Sequence, residues 1–366
     1  MATSGPSAIY IHVPFCPSIC PYCAFHVVVY RAQLVDRYLA ALEQEIAHYQ
    51  GVYPDLVVET VFFGGGTPSM LRTEPLARIM SQLRHWRWPE NVEVSLEANP
   101  VTISLETARE LRQMGITRLS LGVQSFSDTV LRFLGRQHDA ATARQAFQCF
   151  RDAGLVMSLD LMSAVPGQDI DTDLRAALEL EPDHISVYTL TPEERTPFAN
   201  LKIDPDAEAY AFLRTNTLLP QAGYEHYEVS NFARPGRCCR HNLAYWENRL
   251  WLGLGPAAAG HLAGQRRINY RLRQYLAAWE ESRQWYDDIP LTPQDRLKES
   301  MIMGLRLREG VDLERVQQFS GLDPRQVYQR EIANLVAAEL VELVGKRLRL
   351  TERGLWVANR VAQEFV

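Results

Sequence analysis

Three cysteines stand close together in "HVPFCPSICPYCAF", residues 12–25: Cys16, Cys20 and Cys23. Thiolates at that spacing on one loop can converge on a single metal centre, one ligand short of a tetrahedral set. Two chemistries fit. In one, His12 or His26 completes a zinc site. In the other, the loop holds an iron–sulfur cube, which is normally fixed by four cysteines, and three leave one iron open to a small molecule. A second group of chemically useful residues falls where apolar runs end. Gly64, Gly65 and Gly66 let the backbone approach a ligand closely because no Cβ intervenes. Glu97 offers a carboxylate suited to hydroxyl or ammonium groups, and Gln124, Asp160 and Thr191 occupy equivalent strand-end positions. Tyr22, beside Cys23, presents a ring suited to packing on a flat base.

The elements that must position these residues alternate regularly. Strand-like runs are "AIYIHV" (8–13), "VETVFFG" (58–64), "NVEVSLEA" (91–98), "ITRLSLGVQ" (116–124), "LVMSLDLM" (155–162) and "DHISVYTL" (183–190). Helical patterns lie between them: over 34–49, Val35, Tyr38, Leu39, Leu42, Ile46 and Tyr49 form one stripe. Ser104 and Asp139 read as N-caps of two further helices closed by Gly115 and Gly154. Strand–helix alternation predicts a parallel sheet, and six units are too few for a closed eight-stranded barrel. The expected fold class is therefore α/β, a partial (β/α)6 barrel over 1–233, with ligands bound at the carboxyl ends of its strands. Residues 234–290 read as an irregular connecting segment rich in aromatics. Residues 291–366 read as a mainly helical, winged-helix-like unit: helices at 294–307, 312–319 and 324–339, a hairpin at 340–351 around Gly345-Lys346, and a last helix.

Composition narrows the function classes. The 366 residues are 46% hydrophobic and carry a net charge of -6, so no basic excess points to nucleic acid or anionic lipid. Lys and Arg nearly balance Asp and Glu over 291–366, which makes a DNA-binding winged helix a poor expectation. Six cysteines, three of them clustered, read as thiols for a metal in a reducing compartment rather than as a disulfide framework. With neither a secretory signal nor a membrane-spanning run, the expected address is cytoplasmic.

The C-x3-C-x2-C spacing after the first strand resembles the radical S-adenosylmethionine (SAM) signature. "IYIHVPFC", "FFGGGTPSML", "RLSLGVQSF", "LGRQH", "HISVYTLTPEERTPF", "YEVSNFARPG" and "HNLAYW" resemble the oxygen-independent coproporphyrinogen III oxidase (HemN/HemW) family from about residue 8 to the C-terminus. The resemblance implies a [4Fe-4S] cluster on Cys16, Cys20 and Cys23. It also implies SAM bound by Tyr10, Tyr22, Gly65, Gly66, Thr67, Glu97, Gln124, Arg136, Asp160 and Thr191. Gln124, Arg136 and Asp160 match a second SAM position of the decarboxylase branch. That branch carries one more cysteine where this chain has Phe25, and a longer segment ahead of the cluster. "HNLAYW" (241–246) instead matches the haem-chaperone branch of HemW type, with His241, Tyr245 and Trp246 as haem candidates and Cys238-Cys239 as an alternative thiolate pair. The function so implied is haem binding and delivery to an acceptor, such as a respiratory haemoprotein, with a flavodoxin or ferredoxin as electron donor. The alternative is a radical SAM enzyme, either a porphyrinogen decarboxylase or a related methyltransferase, so catalytic status stays open. Two departures from the family pattern stand out. Ala24 replaces a common aspartate, and in "GLGPAAAGHL" (253–262) the expected histidine is Ala259, with His261 displaced by two.

Overall fold

The computed structural model describes residues 5–102 and 104–366; residues 1–4 of the expected first unit, and residue 103, lie outside the described residues. Six parallel strands form where the apolar runs predict them: β1 (Ala8–Val13), β2 (Thr60–Gly65), β3 (Glu93–Ala98), β4 (Arg118–Gln124), β5 (Val156–Ser163) and β6 (His184–Thr189). Their neighbours run in chain order, β1 to β6. Each connection crosses over through helices: α1 (Ala32–Val52), α2 (Thr73–Leu83), α3 (Leu105–Met114), α4 (Asp128–Phe133) with α5 (Ala140–Asp152), and α6 (Ile170–Glu179). The stripe on α1 is buried as expected, and Ser104 and Asp139 accept backbone N–H bonds as N-caps of α3 and α5.

Side chains alternate across these strands. On β1, Ile9, Ile11 and Val13 are fully buried under the helices, whereas Tyr10 and His12 turn to the concave side, where the Tyr10 ring packs against Phe62 of β2. The outer face is thus the main hydrophobic core, and the inner face is a polar lumen that includes Glu93, Glu97, Ser120, Asp160 and His184. The sheet is an open partial barrel of the expected class.

The connecting segment corrects the expectation. Within the expected first unit the chain continues through α7 (Pro205–Gln221), β7 (Glu225–Glu228) and β8 (Asn231–Ala233), and residues 234–290, expected to be irregular, fold into α8 (Arg240–Trp246), β9 (Trp251–Leu254), β10 (Ala259–Leu262), β11 (Gln265–Asn269), α9 (Leu272–Glu280) and β12 (Tyr286–Pro290). β9 pairs in parallel with β1 as a seventh parallel strand, and β10, β11 and β12 continue antiparallel from it. At the other edge β8 and β7 pair antiparallel beyond β6. The result is one sheet in the order β12-β11-β10-β9-β1-β2-β3-β4-β5-β6-β8-β7. A buried carboxylate ties this extension to the barrel: Glu45 on α1 accepts bonds from Gly255 N, Asn269 Nδ2, Tyr275 Oη and Trp285 Nε1.

Residues 293–365 build a second core around Leu297, Met301, Leu313, Leu348 and Phe365. Its elements are α10 (Pro293–Gly304), β13 (Val311–Asp312), α11 (Leu313–Ser320), further short helices, and the hairpin β14 (Val341–Val344) and β15 (Arg347–Leu350) turning at Gly345-Lys346. Tyr328 interrupts the third expected helix, which divides into Pro324–Val327 and Gln329–Ala337. No helix among the described residues is long and apolar enough to cross a membrane.

Candidate functional site

The cysteine loop leaves the carboxyl end of β1. Phe15–Cys16 pairs in parallel with Val28–Val29, so the chain closes a compact loop over residues 17–27. Within it Cys23 N donates to Cys20 O at 3.1 Å, and Tyr30 N donates to Cys16 O at 2.9 Å. All three thiols are partly accessible and unpaired by disulfides. Two of the sulfurs already receive donors from other strand ends. Thr67 Oγ1 lies 3.6 Å from Cys16 Sγ, and Arg136 reaches Cys20 Sγ at 3.6 Å while also donating to Gly122 O at 2.8 Å. Hydroxyl and guanidinium donors stabilise sulfur in its thiolate form. Burial pushes the Cys16 thiol up to about 11.

Neither histidine is available to make this a zinc set. His12 is hydrogen-bonded through Nδ1 to Tyr10 Oη (3.0 Å) and through Nε2 to the His26 carbonyl (2.8 Å). His26 Nε2 accepts the backbone N–H of Leu272 at 3.0 Å. Among the described residues no group of three or more His, Cys, Asp or Glu side chains is placed to hold a single ion. Three thiols on one loop, with donors at two of the sulfurs and no fourth protein ligand among the described residues, fit a cube that keeps one iron open.

The glycine turn lies beside the loop. Gly66 N donates to Val13 O and Thr67 N to Phe15 O, both at 2.8 Å, which fixes the turn against the chain entering the cysteine loop. A Cβ on Gly66 would meet that backbone at 2.8 Å, and Gly65, at φ +108°, would drive one into the His12 ring at 2.5 Å. Both positions require glycine. Gly65 N donates to Glu97 Oε2 at 3.0 Å, so the carboxylate sits at the mouth of the lumen. Burial first, then the neighbouring Asp160, raises Glu97 to about 8, so its carboxyl is mostly protonated at neutral pH. Asp160 is held by Ser120 Oγ at 2.9 and 2.8 Å. Gln124 ends β4 at φ +69° after a register shift, which turns it out of the strand. Tyr22 packs on a small apolar cluster that includes Leu134 and Leu190, and Thr191 is exposed beyond β6. The strand-end expectations thus fall around one mouth, with Thr191 at its rim.

His241 differs. It is fully buried, with Nδ1 hydrogen-bonded to Thr60 Oγ1 (2.8 Å) and Nε2 to Tyr245 Oη (2.9 Å). Thr60 is the first residue of β2, so α8 closes the amino-end floor of the barrel rather than opening onto a ligand. In this structure both ring nitrogens of the axial-ligand candidate His241 are thus engaged by hydroxyl groups. Tyr245 lies in the same packed ladder, between His241 and Trp251. Glu93 holds the plug, accepting the N–H groups of Arg240 (3.1 Å) and His241 (3.0 Å) and the Cys239 thiol at 3.6 Å. The Cys238-Cys239 pair therefore presents no free pair of thiols: Cys239 is buried against Glu93. Trp246 alone of the three haem candidates lines an open space. This is a cleft of about 370 Å³ whose wall joins charged and polar residues, Glu247, Asn248, Arg249, Asp312 and Arg315 among them, to Leu307, Val311, Val316 and Phe319. Sequence reasoning did not find that cleft, because its two walls come from segments far apart in the chain.

The radical SAM superfamily profile matches residues 10–180, and the HemN C-terminal domain profile matches 291–357. The chain is similar to the heme chaperone HemW of Lactococcus lactis, at 31% identity over 99% of this chain and 97% of that protein. It is similar to the heme chaperone HemW of Bacillus subtilis, at 34% identity over 98% of each. Among solved structures it resembles coproporphyrinogen III oxidase (HemN) of Escherichia coli, described as a radical SAM enzyme, with a TM-score of 0.86 and 27% identity over 99% of this chain and 90% of that one.

Proposed function

Since the chain belongs to the HemW family of radical SAM proteins, we propose that it is a haem chaperone that binds a [4Fe-4S] cluster, SAM and haem and passes the haem to an acceptor protein. The observation that carries this reading is the thiol loop, whose sulfurs take donors from Thr67 and Arg136 while both nearby histidines are engaged elsewhere. Cys16, Cys20 and Cys23 would hold three irons. When bound, cluster and SAM together supply a one-electron route to a carbon radical. The chain's own residues would bind and orient. The Gly65–Gly66 turn exposes backbone to the amino-acid end of the cofactor, Tyr22 and Tyr10 supply rings, and Thr67 and Arg136 secure the sulfurs. Glu97 at the mouth would lose its proton when a cationic ligand enters, since an opposite charge favours the carboxylate. Gln124, Arg136, Asp160 and Thr191 complete the rim. A respiratory haemoprotein is the proposed acceptor, and a flavodoxin or ferredoxin the proposed electron donor.

The second reading, a porphyrinogen decarboxylase or methyltransferase, draws on the likeness to HemN and on the polar lumen. Phe25 weighs against the decarboxylase, being 72% exposed on the cluster loop where that branch has a further cysteine. Anaerobic reconstitution tests the proposal. About four iron and four sulfide per chain are expected, with an EPR signal perturbed by SAM, and alanine at Cys16, Cys20 or Cys23 should abolish the cluster. Stoichiometric zinc with no cube under any condition would overturn it. Sustained decarboxylation of coproporphyrinogen would transfer the assignment to the second reading.

A further inference from the structure

The loop that carries the three thiols also turns an apolar surface to solvent. Ile19 and Phe25 within it are 52% and 72% exposed, and Val29, paired with Cys16 where the loop closes, is 47% exposed. Ile19 is one residue from Cys20 and Phe25 two from Cys23, so this surface and the thiols belong to one short stretch of chain. Exposed apolar side chains grouped in this way mark a place where another molecule binds.

Four segments that touch the loop each bring an exposed arginine, and none of the four has an acidic partner among the described residues. Arg31 follows directly on the Val28–Val29 pairing. Arg72 ends the glycine-turn segment, whose Thr67 N donates to Phe15 O. Arg132 lies on α4, and the turn after that helix abuts the loop, since a Cβ on Gly135 would come within 2.8 Å of the Pro21 ring. Arg271 precedes α9, whose Leu272 N donates to His26 Nε2; burial and then the Arg271 charge lower the pKa of His26. Acids are scarce here. Residues 8–35, 60–73 and 255–279 contain no Asp or Glu. Asp128 accepts Ala140 N, and Glu74 stands in the first turn of α2, where the helix dipole favours it. Asp36 lies beyond the first turn of α1. Only the border formed by 191–198, where Phe198 N donates to Pro21 O, carries exposed acids, Glu193 and Glu194, with Arg195 beside them.

A chain of net charge -6 thus gathers positive charge around an apolar centre on its thiol loop. Arginine with an aromatic residue, and no Lys, Asp or Glu at the centre, is the composition of a protein interface. The arginines come singly from four segments, not as the basic run or amphipathic helix with which chains meet anionic lipid. Among protein partners, the one that must come close to the thiol loop is the one that feeds electrons to what the loop holds.

We infer that this face is the docking surface of the electron donor, a small acidic one-electron carrier protein. Its carboxylates meet Arg31, Arg72, Arg132 and Arg271, and its redox group comes to rest over Phe25, Ile19 and Val29. The inference rests on the proposed cluster. In the step, one electron leaves the carrier and enters the cluster, which passes from the 2+ to the 1+ state; no bond forms or breaks. The arginines steer the encounter, and the apolar centre excludes water once the two proteins meet.

The test titrates the full-length protein, with and without its cluster, with oxidised flavodoxin as the acidic carrier, following flavin fluorescence anisotropy. Affinity should fall as ionic strength rises. Arg31→Glu, Arg72→Glu and Arg271→Glu combined should weaken binding by about tenfold or more. Phe25→Asp should weaken it too, whereas Arg360→Glu, exposed on the second core, should not. In reconstituted protein the triple variant should slow cluster reduction by reduced flavodoxin to a similar extent and leave reduction by dithionite unchanged. Unchanged flavodoxin binding in the triple variant overturns the inference. A wild type that ignores flavodoxin but binds phosphatidylglycerol vesicles through the same arginines overturns it as well, and makes the face a lipid contact. If flavodoxin binds as expected and no cluster assembles in the wild type, the cofactor reading fails while the docking assignment stands. Should the triple variant not fold, Phe25→Asp and Arg271→Glu taken singly supply the second arm, and wild-type affinity in both overturns the inference.

Discussion

Glu97 shows how one side chain in the lumen sets a measurable property of the whole fold. Its carboxyl is raised to about 8 by burial and by Asp160, well above the unfolded range. Between the two values the folded state binds the extra proton, so stability is greatest below the unfolded pKa and declines as pH rises towards 8. The buried histidines act in the opposite direction. His12 and His261 are lowered to about 4 and His241 to about 3, so their contribution is complete above the unfolded pKa of histidine and is lost as pH falls. Stability should therefore peak near pH 6 to 7. Glu97→Gln should flatten the alkaline limb of a melting-temperature profile and leave the acid limb in place. An alkaline limb identical to that of the wild type would show that Glu97 is ionised in the fold. At this scale the sequence was most legible where one residue type has one use. Cysteine spacing and the glycine run marked the mouth directly. The bond between His241 and Thr60 spans 181 residues, and no local pattern reveals it. His261 was visible only as a displaced histidine; its contact with the Arg249 carbonyl exists only once β9 and β10 pair.

At the scale of elements, the six strands were readable because each alternates between a helix-covered face and the lumen, and β4, β5 and β6 each follow a helix with a side-chain N-cap. The segment after β8 was not readable, for a physical reason. Its strands are four or five residues long, too short for alternation to register, and they are specified by pairing partners rather than by their own pattern. The plug α8 is the sharpest case. It has seven residues and no side-chain cap of its own, so it depends on the Glu93 carboxylate, which accepts two of its first N–H groups. A carboxylate at a helix N-terminus also meets the positive end of the helix dipole. Glu93→Ala should cost about 1–3 kcal/mol, since buried N–H groups lose their acceptor. It should also raise amide exchange over residues 239–246, while an anaerobic cluster still assembles at the other end of the barrel. Glu93→Gln, which keeps an acceptor oxygen, should recover part of the loss. Unchanged exchange in Glu93→Ala would mean that packing alone holds the plug.

The whole molecule is two cores joined by a seam, and the seam forms the cleft. Polar contacts set its geometry. Arg266 on β11 makes a bidentate pair with Glu299 on α10, at 2.6–3.2 Å, and also donates to Asn248 Oδ1 at 2.9 Å. The same guanidinium lies 4.5 Å from the centre of the Trp251 ring, next to His261. Arg306 pairs with the buried Glu228 of β7 and covers Trp246. Backbone bonds run alongside, from Val229 N to Arg306 O and from Arg308 N to Tyr227 O. The Arg266–Glu299 pair is partly buried and bidentate, so it contributes more than a surface pair does, whereas Arg306 stands 3.7 Å from the Glu228 carboxylate. The cluster mouth shares no residue with this seam, which makes the two ends separable by mutation. Arg266→Ala should loosen α10 from the sheet, by about 1–3 kcal/mol for a bidentate pair with a charged acceptor. The loss should appear as an earlier first transition in calorimetry and faster proteolysis near residues 290–293, where β12 passes into α10. Iron and sulfide content should stay at the wild-type level, because the cysteine loop is closed by its own pairing with Val28–Val29. A single unshifted melting transition would show that the two cores are held by their apolar contacts alone. Loss of the cluster in this variant would show instead that the two ends of the barrel are coupled through the sheet.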